Sequence, residues 1–92
     1  MKYASINDIY DRISKILKND QKHSYNVLGG LIVECTIVLD EIDQYYTKYP
    51  PLLDVAELGA ALEYEGSEYH DEIIKQINYK MRELKGLLPD VS

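Results

Sequence analysis

The side chains of this sequence that could act on another molecule are carboxylates and tyrosines, and they are concentrated. In residues 62–72, LEYEGSEYHDE, five acids and two tyrosines occupy eleven positions with no lysine or arginine. Residues 49–74 carry seven acids and no base: Asp54, Glu57, Glu63, Glu65, Glu68, Asp71 and Glu72. Residues 1–48 are nearly balanced, with six bases and seven acids, and residues 75–92 are basic, with four against two. The net charge of −6 is therefore a local property of the middle of the chain. Carboxylates at this density could hold a divalent cation, transfer protons, or face a cationic surface.

The first two chemistries find little support. A hydrated Mg²⁺ site takes one or two carboxylates plus substrate phosphates. In an all-α metal-dependent phosphohydrolase, Asp40, Glu41 and Asp43 would have to meet Glu57 or Asp71. No paired acidic motif recurs on two segments, however, and few bases stand nearby to hold a phosphate. His23 and His70 lack a zinc-ligand spacing. Cys35 lies in the most apolar part of the chain, where a small core residue is expected rather than a nucleophile. Gly29 and Gly30 are not followed by the Lys and Ser or Thr of a phosphate loop. The sequence predicts no enzyme, no metal and no cofactor.

The third chemistry fits better. An acidic face repels nucleic acid and anionic membrane alike and suits a basic protein surface. All nine aromatic residues are tyrosine, a residue that supplies large contact area at small entropy cost. Tyr64 and Tyr69 flank the acidic turn. The predicted partner-binding set is Glu57, Glu63, Tyr64, Glu65, Glu68, Tyr69, Asp71 and Glu72, with a secondary set at Tyr45, Tyr46 and Tyr49. Tyr46 and Tyr49 have a competing role as amphipathic core residues. Glu68, Asp71 and Glu72 suit the start of a helix, where the dipole favours anions. Glu63 and Glu65 fall at the end of the preceding helix, where negative charge opposes the dipole and no lysine stands four residues away.

The elements that must position these residues read as helices. Ser5 and Asp8 have the form of a capping box, and Ile6, Ile9, Ile13, Ile16 and Leu17 recur at helical spacing, which predicts a first helix over 6–18. Ser24 can cap a second. There Leu28, Ile32, Cys35, Leu39, Ile42, Tyr46 and Tyr49 are separated by 4, 3, 4, 3, 4 and 3 residues, a heptad seam that predicts one long helix stopping before Pro50 and Pro51. Extra apolar residues at Val27, Leu31, Val33, Ile37 and Val38 wrap its surface, so it is expected to be the central helix or an oligomer seam. The β-branched run in LIVECTIVL also permits a strand over 31–39, and the flanking seam decides for helix. Leu52, Val55, Leu58 and Leu62 mark a third helix from Pro51 to a stop at Gly66. Ser67 can cap a fourth, with His70, Ile74, Ile77, Met81, Leu84 and Leu88 as its stripe and an end near Gly86.

The expected fold is thus all-α: a small antiparallel bundle of three to four helices with a long, very apolar second helix, in one domain of 92 residues. A single cysteine and no signal-peptide pattern predict a cytoplasmic protein, and no apolar run is long enough to span a membrane. Three functions remain, in order. The first is a non-enzymatic acidic protein that neutralises or regulates a basic partner, as an immunity protein, antitoxin or phage-type inhibitor does to a nuclease or nucleic-acid-binding protein. The second is a structural or adaptor module that self-associates, with a homodimer as its simplest form. The third is the phosphohydrolase.

Overall fold

A computed structural model describes residues 6–19, 24–37, 42–65 and 67–88. Among these residues five α-helices follow one another: α1 (Ile6–Lys18), α2 (Tyr25–Ile37), α3 (Ile42–Lys48), α4 (Pro50–Tyr64) and α5 (His70–Leu87), with a 3₁₀ turn at Ser67–Tyr69 leading into α5. No strand occurs among the described residues. The fold is the all-α antiparallel bundle expected, and 31–37 is helical. Val38 and Leu39, like Asp40, Glu41, Ser5 and Gly66, lie outside the described residues.

Local chemistry sets most boundaries. In α1, Ile6, Ile9 and Ile13 are buried because their spacing lines one face of the helix. Ser24 caps α2 as expected: its Oγ accepts the Val27 N–H at 3.4 Å, and its carbonyl accepts the Leu28 N–H at 2.9 Å. Pro50 and Pro51 open α4, where their missing N–H groups would have no intrahelical partner anyway. The predicted cap at Ser67 is corrected. The cap position of α5 is Tyr69, without a side-chain cap bond, because the short link from α4 tightens into the 3₁₀ turn before the helix begins. α5 ends at Leu87, beside Gly86 as expected.

The single long second helix is also corrected. Asn26 of α2 reaches the backbone of Leu62 and Glu63, and Ile32 lies against Gly59, so α2 and α4 run antiparallel. At 1.5 Å per residue a straight helix reaching Lys48 would place Ile32 roughly 24 Å from its end, whereas Gly59 is only about 14 Å into α4. That mismatch excludes one straight helix over 24–49. The chain reverses around α3. The heptad spacing persists through the reversal because Cys35 and Tyr49, from both sides of it, enter the same core, and spacing alone does not report a change of axis.

The centre of the bundle moves with this correction. It is α4, not α2, that packs against three neighbours, α2, α3 and α5, while α1 lies against α2 and α5. Leu28, Ile32, Leu52, Val55, Leu62, Ile77 and Leu84 are fully buried between them. α2 is not enclosed all round: Val27 is 50% exposed, Glu34 is exposed, and Leu31 and Val33 are half-buried. Its closest approach to α4 is at two glycines. A Cβ built on Gly29 would lie 2.4 Å from the Gly59 carbonyl oxygen and 2.6 Å from the Glu63 nitrogen, so only glycine lets the two backbones come this near. Among the described residues no helix is long and apolar enough to cross a membrane.

Candidate functional site

The Gly29–Gly59 contact brings the first turn of α2 onto the last turn of α4. Helix ends leave carbonyls without intrahelical partners, and here α2 supplies one. Asn26 Nδ2 donates to the Glu63 carbonyl at 2.8 Å and to that of Leu62 at 3.3 Å, with a longer contact of 3.5 Å to Glu65. The α4 cap residue Glu65 turns extended, its N–H still bonded to the Ala61 carbonyl at 2.8 Å. Its own carbonyl lies 3.0 Å from His70 Nε2. A carbonyl only accepts, so Nε2 carries the proton. The Tyr25 ring meets His70 edge-on at 5.1 Å, and the Tyr25 hydroxyl donates to Asp71 Oδ1 at 3.4 Å.

The α4–α5 turn is therefore tied from two sides, by α2 through Tyr25 and Asn26 and by α5 through His70. Sequence reasoning missed Tyr25 and Asn26. The available signal was Asn26 itself, a polar residue with an amide at the head of the otherwise apolar run VLGGLIV.

On this frame the predicted residues are distributed as follows. Glu57, Tyr64, Glu65, Glu68, Tyr69, Asp71 and Glu72 are exposed, and Glu63 is half-buried with its carboxylate beside Gly30. Tyr64 is 82% exposed and Tyr69 53%. Glu57 and Tyr64, seven residues apart, share the outer face of α4. Among the described residues no basic side chain pairs with Glu57, Glu63, Glu65, Glu68 or Glu72. Asp54 differs: it meets Lys80 of α5 at 3.3 Å, and Lys80 also meets Glu83 at 3.5 Å. The hydrogen bond that Lys80 donates to Asp54 is the largest cause holding its ammonium above the usual lysine pKa. Asp54 is thus compensated from α5, and the unpaired acids gather at the turn and on the outer face of α4.

The secondary tyrosine set is not brought to this place. Tyr49 precedes α4 and Tyr64 ends it, some 22 Å along the helix by its rise per residue. Tyr49 is only 6% exposed, stacked at 6.2 Å with Tyr45, and Tyr45 and Tyr46 are half-buried against the core. These rings close the α3 end of the bundle, the core role that competed with binding for Tyr46 and Tyr49.

Among the described residues no three His, Cys, Asp or Glu side chains converge as a metal ion would need. Asp40 and Glu41 lie outside those residues. The one cysteine, Cys35, is buried. Comparison of the chain with protein-family models, with curated proteins and with solved structures yields no match.

Proposed function

We propose that this protein is a non-enzymatic binding protein whose acidic α4–α5 turn neutralises or regulates a basic protein partner. The observation that carries the reading is Tyr64, 82% exposed on a turn flanked by carboxylates that pair with no basic side chain of the described residues. An aromatic ring left in water beside acids offers contact area and charge complementarity together. The ties from Asn26 and His70 add to this, because a turn ordered before binding loses less entropy on binding. Carboxylates so arranged can occupy the phosphate positions of a nuclease or nucleic-acid-binding protein, which is the logic of an immunity protein, antitoxin or phage-type inhibitor. A reducing cytoplasm is the compartment in which a lone Cys35 thiol is at home.

The test is capture on immobilised wild-type protein, followed by rate measurements on the purified captured protein. Glu65→Lys with Glu68→Lys should slow association and lose the salt dependence of the on-rate, whereas Tyr64→Ala should raise the dissociation rate. Binding by the double lysine variant as tight as wild type at low salt would reduce the acidic turn to a solvated face.

A second reading has its own observation. Val27 is half exposed on α2, with Leu31 beside it only half-buried, and this outer face could join two copies in a self-associating module. Association stabilises by mass action, so the melting temperature should then rise with protein concentration. A constant value over about a hundredfold range, which mass action forbids for a dimer that melts with its interface, removes this reading.

A further inference from the structure

We infer that the groove between α1 and α5 is a second binding site, for a small carboxylate with an apolar body. Its volume is about 450 Å³, within the size range of small-molecule sites. Tyr10, Leu17 and Met81 supply its apolar surface. A cation stands on each wall, Lys18 at the end of α1 and Arg82 on α5.

The charge of the lining is the decisive feature. The chain carries sixteen acids against ten bases, yet among the described residues no carboxylate lines this groove. Among the described residues neither Lys18 nor Arg82 is paired with an acid. Two cations over an apolar floor, with no counter-charge among the described residues of the lining, complement an anionic head carried on an apolar body. The Arg82 guanidinium lies 5.9 Å from the centre of the Tyr79 ring, a contact that holds the side chain along α5. A planar guanidinium selects a carboxylate in particular, because its fork matches the two oxygens. Ser14 completes the walls with a hydroxyl and Asn78 with its side-chain amide, whose nitrogen donates one N–H to the Ile74 carbonyl at 3.1 Å and keeps a second. Asn78 lies eight residues beyond His70, about 12 Å along α5, so this site is separate from the acidic turn and does not depend on its function.

The probe is octanoate, titrated into the ¹⁵N-labelled full chain beside 1-octanol and octylammonium, which keep the apolar body and change only the head. Octanoate should give saturable shifts confined to α1 and the 78–82 segment of α5, and should bind about tenfold or more tighter than either analogue, the difference that one charge-assisted contact supplies. Lys18→Gln and Arg82→Gln, both at exposed positions, should each weaken octanoate by a similar factor and leave the melting curve nearly in place. No saturable shift by about 20 mM, a concentration well above that needed for millimolar affinity, overturns the inference. So does equal binding of octylammonium, or shifts spread over α2 and α4. The comparison of head groups uses the wild-type chain alone, so it decides the matter even if a variant folds poorly.

Discussion

Alanine substitutions at four helical glycines test the packing that positions the acidic turn, because each meets a different environment. At Gly29 the added Cβ would stand 2.4 Å from the Gly59 oxygen, 2.6 Å from the Glu63 nitrogen and 3.0 Å from the Leu62 carbonyl carbon. All three are backbone atoms of α4, so relief requires the helices to move apart by roughly 1 Å, with loss of dispersion contacts along the seam. Overpacking of this kind costs about 1–3 kcal/mol or more, against a gain of about 1 kcal/mol for replacing glycine in a helix. A net loss of up to about 2 kcal/mol follows, which in a domain of this size lowers the melting temperature by up to about 15 °C. At Gly59 the nearest atoms are Ile32 Cγ2 at 2.9 Å and Cβ at 3.2 Å and the Gly29 oxygen at 3.3 Å, all farther than the two backbone atoms nearest Gly29, so the loss should be smaller. At Gly30 only the end of the Glu63 side chain is near, at 3.4 Å, and at Gly86 nothing lies within 4 Å. Gly86→Ala should therefore stabilise, by up to about 1 kcal/mol. The assay is urea and thermal denaturation of the four variants, and the expected order of stability is Gly29→Ala, Gly59→Ala, Gly30→Ala, Gly86→Ala from least to most. A Gly29→Ala variant as stable as Gly86→Ala would refute the close α2–α4 approach and, with it, the placement of Asn26 over the turn.

Two further outcomes follow from the same end of the bundle. Asn26→Ala removes the donor that serves the Leu62 and Glu63 carbonyls and should cost about 1 kcal/mol in urea denaturation, with faster amide exchange at Glu65; unchanged exchange there would mean that the turn holds without α2. Asp71→Asn removes a charge from the first turn of α5 while keeping an oxygen for the Tyr25 hydroxyl, so it should cost only the dipole contribution of about 0.3–1 kcal/mol, and less in high salt.

How far the sequence could be read depended on what each signal measures. Period gave α1 its bounds without error and gave α4 and α5 to within a turn, since a stripe of Ile or Leu reports which face is buried. It merged α2 with α3 because both face a common core, and a heptad count is blind to a reversal whose tyrosines continue the seam. It named α2 as the centre from apolar content, whereas α4 is central and meets α2 at Gly59: a small residue allows two helices to approach, and an apolar count undervalues it. At the site, the exposed acids and Tyr64 were legible because charge is read directly. The ties from Tyr25 and Asn26 were not, because they join positions almost forty residues or more apart.

The structure also changes the weight carried by the acids themselves. From the sequence, Glu63 breaks a rule by standing at the carboxyl end of α4. In the fold its carboxylate lies beside Gly30, in the first half of α2, whose amino terminus is at the same end of the bundle, and Glu68, Asp71 and Glu72 adjoin the amino terminus of α5. Two positive helix ends thus meet one negative end there, and part of the acidic charge is stabilised by the dipoles with no partner required. Dipoles explain carboxylates; they do not explain tyrosine rings. Tyr64 at 82% and Tyr69 at 53% exposure leave apolar area in water on either side of the turn, and neither ring has a stacking contact with another ring of the described residues. The tyrosines, rather than the charges, therefore separate a binding surface from a charge-balanced helix junction. If the junction is only structural, Tyr64→Ala and Tyr69→Ala leave both stability and the dissociation rate of any captured protein unchanged. If it is a recognition surface, the same variants keep the melting temperature and shorten the lifetime of the complex, by about tenfold or more for a ring that loses an anchoring contact worth 1.4 kcal/mol or above.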